Sequence, residues 1–575
     1  MICLIRPPAV ESFRFSTGSI TLPLGLAYIA GALREAGYEI NILDAVAESP
    51  ETKTRYLKGY LIGITLAEVT ARIPTETEWV GITVDFTHEW PEVVHMVNLI
   101  KEKRPNLPVV LGGEHITGMP EFCLATSQAD FLVLGEGEET VVALASTITA
   151  GIGFDTVPGI AYRDGNDIVV NPRRPRRREI NDIAWPAWDL FAVETYNSNH
   201  LVGGLDANDI TIPILATRGC PFQCTFCASP NMWTPRWVAR DPIKTVDEIE
   251  HYYKTYKARN FPFQDLTAII KKSWIVAFCQ EIIKRDLKIS WQFPTGTRSE
   301  AIDDEVADLL RRSGMVNMGY APESGSEITR KYIKKKMRTD NLLKSIDNSV
   351  QKGLKVTLFL VLGFPHDDMT SILENRPFLK EVRDKGTTDL AIGFFIALPG
   401  TELFDSLFDA GKVRLDRDYF AHILQGSSLI PTVSYSPTLS RLTLAYWKIR
   451  LSLEFYGSGK EKTSRIALAG SLKRGLKGIF KGEHESRLET AIRNGMLSAV
   501  DSVKVLFKPR WMSKKQEAAM IIDWNDIYRN IRRDKLNNGT VWEVPADTRQ
   551  LHETSIVRKI QHEHNTPHRV TAPIR

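Results

Sequence analysis

The stretch Ala216-Thr217-Arg218-Gly219-Cys220-Pro221-Phe222-Gln223-Cys224-Thr225-Phe226-Cys227 sets three cysteines at C-x3-C-x2-C spacing, directly after the β-branched apolar run Thr211-Ile212-Pro213-Ile214-Leu215. Three thiolates on one tight loop can hold three corners of a four-iron cluster and leave the fourth iron open. An open position of this kind separates a catalytic metal site from a structural one. Structural zinc wants four ligands, usually as two separated C-x2-C pairs. No fourth cysteine is near, and His251 stands well downstream. A nucleophilic cysteine would need no such neighbours. The remaining cysteines, Cys3, Cys123 and Cys279, lie in apolar segments and read as small buried hydrophobes. Six cysteines in 575 residues cannot form a disulfide framework, so the usage fits a reducing, cytoplasmic setting.

Outward from that loop, the chain is too long for one core and should divide into several domains. Its net charge of +4 is small for its length and gives no case for a nucleic-acid partner. The N-terminus, Met1-Ile2-Cys3-Leu4-Ile5 running into Arg6-Pro7-Pro8, is not a signal peptide, and no uncharged run approaches a membrane span.

Residues 1–150 alternate strand and helix patterns. Strands are expected at Ile2–Ile5, Tyr38–Leu43, Trp79–Val84, Pro108–Leu111 and Phe131–Leu134, with helices near Pro23–Arg34 and Glu92–Lys103. Such alternation implies a parallel sheet covered on both faces, with ligands beyond the carboxyl ends of its strands. Those ends carry Asp44, Thr83-Val84-Asp85, Gly112-Gly113-Glu114-His115 and Gly135-Glu136-Gly137-Glu138. Residues 151–204 read as a linker. It holds a hairpin over 159–170, a basic run Arg173–Arg178 and a Pro-aromatic strap, Ile183–Phe191, able to pack over a domain seam.

From 205 to 405 the rhythm resumes. Strands are expected to end near Asp265, Phe293, Ala321, Leu362 and Ala397, with helices at Ser273–Lys284, Asp303–Ser313 and Asp340–Gly353. With the cysteine-bearing unit this gives about six strand-helix repeats, an incomplete form of the eightfold barrel, in which functional groups come from strand carboxyl ends. After 405 the strand pattern stops. Residues 406–546 read as mainly helical, with Ser440–Phe455 placed to close the open side of the barrel. Segment 466–510 is basic and amphipathic, and packing on its own protein is preferred for it over a membrane surface. The tail 547–575 reads as disordered.

The cysteine stretch resembles the signature of the radical S-adenosylmethionine (SAM) enzymes, and residues 1 to about 145 resemble the cobalamin (B12)-binding domain that precedes many of them. The fold this implies is α/β: a doubly wound parallel-sheet cobalamin domain, a partial (β/α)6 radical SAM barrel and a helical C-terminal region. The resemblance implies a [4Fe-4S] cluster on Cys220, Cys224 and Cys227, with SAM chelating the open iron. It further implies SAM contacts from Phe226, at the family's adenine-facing aromatic position, and from Gln264, Asp265, Arg298, Glu323 and Ser324, with Glu323 expected to meet the ribose or amino group. For cobalamin it implies Gly112-Gly113 under the nucleotide tail, Thr83 at a small hydroxyl position, and Glu136 and Gly137. One departure stands out. The better-known fold has Asp-x-His-x-x-Gly, whose histidine ligates cobalt, whereas Asp44 is followed by Ala45 and Val46. The resemblance then favours cobalamin with its own base displaced and no histidine ligand.

The implied activity is cobalamin-dependent radical SAM methylation of an unactivated carbon, or alternatively a phosphorus, in a small molecule, with an electron donor such as flavodoxin or ferredoxin. The competing outcome, found in the anaerobic magnesium-protoporphyrin monomethyl ester cyclase, is ring formation without net methyl transfer. A noncatalytic cobalamin and iron-sulfur sensor is a more distant third. No residue identifies the substrate or a catalytic side chain acting on it.

Overall fold

Five parallel strands build the first sheet because their sequences are almost continuously apolar, as burial on both faces requires. In the computed structural model, which describes residues 1–12, 20–57, 59–165, 167–204, 209–297, 301–457 and 523–537, these strands are Ile2–Arg6, Ile40–Asp44, Trp79–Thr83, Val109–Gly112 and Phe131–Val133. Numbered along the chain, they lie in the order 2-1-3-4-5. This arrangement has its topological switch point between the first and third strands, and a ligand crevice opens beyond their carboxyl ends. The register brings Arg6 level with Asp44 and Thr83 level with Gly112, so those ends are flush. Helices Leu24–Glu35 and Glu138–Ala150 pack together over one face, burying Leu26, Ala30, Leu33, Val141 and Leu144.

The hairpin over 159–170 does not stand apart as a linker. Its strands Ile160–Asp164 and Asp167–Val170 add antiparallel to Phe131–Val133, making seven strands. Ile160 and Ala161 are fully buried there, and the edge that Phe131–Val133 would otherwise leave open is covered. A small antiparallel sheet of Ala9–Ser12, Gly59–Ile62 and Lys53–Tyr56 also forms, which sequence periodicity does not indicate because each piece is only four residues long.

The second sheet holds Asn260–Pro262, Ser290–Thr297, Met315–Glu323, Lys355–Leu362 and Asp389–Phe394, all parallel and in chain order. Parallel bridges Thr211 to Asn260 and Ile214 to Phe263 add the segment before the cysteines as a sixth staves' width, giving the half-barrel expected. Three of the helices between the strands start on aspartate caps. Asp303 accepts from Val306 N, Asp241 from Ile243 N and Lys244 N, and Asp368 from Ser371 N. Phe263, Trp291, Phe293 and Phe278 interlock at centroid separations of 5.3 to 5.5 Å under the amino-terminal strands. Helix Arg441–Gly457 packs on helix Met369–Asp384 and on strand Asp389–Phe394, closing that side as expected.

The two sheets belong to one compact unit, Met1–Asn525. The aromatic strap lies on the seam. Ala187 N–H donates to Ala27 O at 3.0 Å, Trp188 is buried, and Trp185 meets His251 and Tyr252 of helix Pro242–Thr255. Charge finishes the joint. Arg176 binds Glu136 at 2.9 Å, and the buried Arg218 spans Glu136 at 3.2 Å and Glu138, while lying over the ring of Tyr28. Trp524 is buried against Phe122 and Phe420, edge-on at 5.9 and 5.5 Å. A second unit begins at Asp526, where the described residues form helix Asn525–Asn537. The basic segment 466–510 and the tail 547–575 fall outside the described residues.

Candidate active site

The cysteine loop is held from three sides. Thr217–Arg218 pairs antiparallel with Val238–Ala239. Gly219 follows at φ +82°, where an added Cβ would collide with the carbonyl of Arg236, so only glycine turns the chain into the loop here. Asp265, buried at the end of the neighbouring strand, accepts from Ala216 N at 3.2 Å, Thr217 N at 2.5 Å and Thr217 Oγ1 at 2.5 Å. Burial pushes its carboxyl up to about 7 against the pull of those donors. On the far side, Thr225 N donates to Ile333 O and Leu403 N donates to Thr225 O.

Cys220, Cys224 and Cys227 are reduced and half-buried. Burial first, then the neighbouring Cys224, Glu114 and Cys220, pushes the Cys227 thiol up to about 12. Three thiolates this close are unfavourable until a cationic group is bound among them. Among the described residues no three His, Cys, Asp or Glu side chains converge to hold a single ion. A four-iron cluster asks the three thiols for bonds to three different irons and not for convergence on one ion. Thr225 Oγ1 and Ser229 Oγ, buried beside them, have no hydrogen-bond partner among the described residues. The loop fits a four-iron cluster and not a zinc ion.

Above the barrel strands, the groups expected to meet SAM divide into two sets. Phe226 projects against Phe364, edge-on at 5.4 Å, and the contact continues through Phe395 at 5.2 Å to Tyr435 at 5.5 Å. Glu323 ends its strand at φ +66°, an uncommon conformation for glutamate, and pairs with Lys335 at 2.9 Å. Ser324 Oγ accepts from Ser326 N, and its carbonyl accepts from the buried Arg330 at 2.7 Å. Gln264 N donates to Ile214 O, and its side chain lies by Gly203. Asp265 serves the cysteine loop, as described. Arg298 lies outside the described residues. The Gly363-Phe364-Pro365 turn is fixed by Asp367, which accepts from Gly363 N and Phe364 N at 2.9 and 3.0 Å and from Thr329 and Ser371 hydroxyls. Lys335, Asp367, Phe395 and Tyr435 carry no motif of their own, and sequence reading missed them.

The first-sheet crevice at the switch point is polar at its floor. Arg6 donates to Thr21 O at 2.7 Å and to the hydroxyl of Tyr196, which in turn donates to Asp44 Oδ2 at 2.7 Å. Asp44 Oδ1 accepts from Val46 N and Ala47 N, so the aspartate caps a short helix, and the apolar Val46 beside it is fully buried. Thr83 Oγ1 donates to Asp85 at 3.0 Å. Asp85 is exposed, and Glu89 beside it is pushed up to about 8 by burial and by Asp85. Gly113 has φ +131°, and a Cβ there would collide with Val84 O, whereas Gly112 has ordinary space. Gly113 is thus required by its contact with Val84, and the strand ends Thr83, Gly112 and Gly113 stand at the switch point, where a corrin would fit. Glu136 and Gly137 sit instead in the seam, Glu136 on its two arginines and Gly137 against Ile29. Of the floor residues that sequence reading did not single out, Arg6 had a cue in its place at the end of an apolar strand. Tyr196 had none.

The two clefts face each other. Glu114, next to Gly113, is near enough to raise the Cys227 thiol, and helix Glu114–Gly118 packs on helix Ser229–Trp233, which follows the cysteines. A 2-1-3-4-5 sheet beside a three-cysteine loop on a half-barrel offers adjoining places for a corrin and for an iron-sulfur cluster. Family comparison agrees: residues 13–145 match the B12 binding domain and residues 214–375 match the Radical SAM superfamily. The chain belongs to the radical SAM enzymes that carry a B12-binding domain, and its cofactors are a [4Fe-4S] cluster, SAM and cobalamin.

Among its relatives, an uncharacterized methyltransferase of Pyrococcus horikoshii is 24% identical over 407 residues, covering 70% of this chain and 82% of the relative. The anaerobic magnesium-protoporphyrin IX monomethyl ester cyclase of Rubrivivax gelatinosus is 26% identical over 470 residues, covering 80% and 79%. The radical SAM methyltransferase TsrM of Kitasatospora setae, solved with cobalamin and a [4Fe-4S] cluster, superposes with a TM-score of 0.61 at 14% identity, over 87% of this chain and 99% of TsrM. Among the described residues no helix is long and apolar enough to cross a membrane.

Proposed function

We propose that this chain is a cobalamin-dependent radical SAM methyltransferase acting on an unactivated carbon of a small molecule. The observation that carries the reading is the packing of helix Glu114–Gly118, which follows Gly113, on helix Ser229–Trp233, which follows the cysteines, so that the strand ends of the first sheet adjoin the cysteine loop. When bound, the cluster and SAM supply a 5′-deoxyadenosyl radical, and cobalamin supplies the methyl group.

The chain's own residues do the placing. Cys220, Cys224 and Cys227 hold three irons, and Asp265 with Gly219 fixes the backbone that presents them. Phe226 and Phe364 form an apolar wall for the adenine, and the run through Phe395 to Tyr435 keeps water from a radical site. Glu323, oriented by Lys335, offers the carboxylate for a ribose or ammonium contact. Thr83, Gly112 and Gly113 take the cobalamin, over a floor that supplies a guanidinium–phenol–carboxylate chain and a buried Val46 rather than the missing histidine. An external one-electron donor such as flavodoxin or ferredoxin serves the half-buried loop, and six free cysteines suit a reducing cytoplasm.

The cyclase of Rubrivivax gelatinosus, similar over four-fifths of both chains, supports a second reading in which no methyl group is installed. Anaerobic turnover with methyl-labelled SAM separates the two. Formation of 5′-deoxyadenosine together with S-adenosylhomocysteine is expected. Deoxyadenosine without S-adenosylhomocysteine or labelled product would sink methyl transfer and favour cyclisation.

A further inference from the structure

Among the described residues, nearly half of the exposed large apolar side chains are concentrated in one short stretch. Seven of them fall between residues 429 and 453: Leu429, Ile430, Val433, Leu442, Tyr446, Ile449 and Leu453. In helix Arg441–Gly457 the last four recur at spacings of four, three and four, so they line one stripe along the helix. Leu442 is 70% exposed and Tyr446 57%. The opposite face of the same helix is the one that packs on the barrel, through Leu444, Ala445, Leu451 and Phe455. A helix at the outside of a barrel needs one apolar stripe, and this one has two.

The loop beside it extends the patch. Lys448 donates to Ser427 O and Ser428 O, and Arg441 donates to Thr432 O, so the segment with Leu429, Ile430 and Val433 is bound along the helix flank. Isolated surface hydrophobes need no explanation, but a contiguous group of this kind marks an interaction surface. Its place in the fold is also specific. Gly426 O accepts from Phe394 N at the carboxyl end of the last barrel strand, and Leu444 lies against Gly363 at the end of the strand before it. The patch therefore borders the mouth of the barrel.

Charge decides between occupants. Arg441, Lys448 and Arg450 stand around the stripe, with Glu454 the one acid on the helix, already engaged by Arg376 and Arg450. A second copy of the chain would bring the same positive charge to the contact, whereas an anionic lipid surface complements both the apolar stripe and its basic rim. We propose that this face docks on the surface of an anionic lipid bilayer, so that the barrel mouth opens at the interface. The association is peripheral and goes beyond the methyltransferase reading, which it neither needs nor supports.

The test is sedimentation of the full, anaerobically reconstituted chain with vesicles of phosphatidylglycerol and phosphatidylcholine, against vesicles of phosphatidylcholine alone. The expected result is co-sedimentation with the anionic vesicles, weakened about tenfold or more by high salt. A Leu442→Ser/Ile449→Ser variant should lose about tenfold, since both positions are exposed and outside the site. Its cluster and cobalamin absorption, and its rate of deoxyadenosine formation, should stay as in the wild type. Equal sedimentation with neutral and anionic vesicles would overturn the proposal, as would undiminished binding by the variant. Sedimentation velocity guards the other occupants. A wild-type dimer that the variant dissolves, or a variant that loses thermal stability, without vesicle binding by the wild type, also overturns it in favour of a second copy or of the chain's own covering.

Discussion

Arg218→Met removes the cation that joins the two sheets. Arg218 is 5% exposed and serves two carboxylates, Glu136 at 3.2 Å and Glu138. Glu136 keeps Arg176 at 2.9 Å, so the group left without its cation is Glu138. Methionine retains most of the apolar stem against Tyr28, which keeps the cavity contribution small. Breaking a buried pair from one side typically destabilises by about 3–5 kcal/mol, and because one of the two acids stays paired the lower end, about 3 kcal/mol, is expected at pH 8. The pH dependence follows from Glu138. Burial raises its pKa, but the charge and hydrogen bond of Arg218 outweigh burial and hold the carboxyl below its usual range. In the wild type that contribution is present above the unfolded carboxylate pKa and is lost as pH falls. In the variant burial is opposed only by a backbone hydrogen bond and the charge of Arg177, so the folded pKa rises and the favourable contribution at high pH is lost. The gap between wild type and variant should therefore be full at pH 8 and narrow toward pH 4, by about 1.4 kcal/mol per pH unit across the titration. Urea unfolding followed by tryptophan fluorescence at pH 8, 6.5 and 5 measures it. Adding Glu138→Gln to the variant should return about 2 kcal/mol. A loss below about 1 kcal/mol at pH 8, or one that does not change with pH, would refute the reasoning.

Gly113→Ala forces a Cβ into Val84 O at φ +131°. If the backbone must shift, about 2–3 kcal/mol of strain is expected, read as a thirty- to hundredfold weaker affinity (roughly) for cobalamin by spectrophotometric titration. Unchanged affinity would remove Gly113 from the cobalamin cleft. Alanine at Cys220, Cys224 or Cys227 should abolish the four-iron Mössbauer signal of reconstituted protein, and a four-iron cluster retained by any one of them contradicts the assignment of that thiol.

The cysteine spacing and the run of strand and helix patterns were decisive in the sequence, because both are local. Iron ligands must share one loop, and a parallel sheet buried on both faces writes itself as short apolar strands between amphipathic helices. The absence of a histidine after Asp44 was equally plain from the sequence. What the tertiary structure decided is the company each residue keeps. Asp265 and Glu136, which the family resemblance implied as ligand contacts, hold the cysteine loop and the domain seam. A strand end places a carboxylate near a cleft without saying which backbone amide or arginine will reach it first. Tyr196 completes the floor of the first crevice from 152 residues beyond Asp44 and 190 beyond Arg6. The second apolar stripe of helix Arg441–Gly457 was likewise hidden, since a helix apolar on two faces reads in sequence as one buried on all sides, and only packing shows which face the barrel leaves uncovered. Periodicity records which residues must be buried or bound, and the pairing of distant ones is set by chain crossings that leave no local pattern.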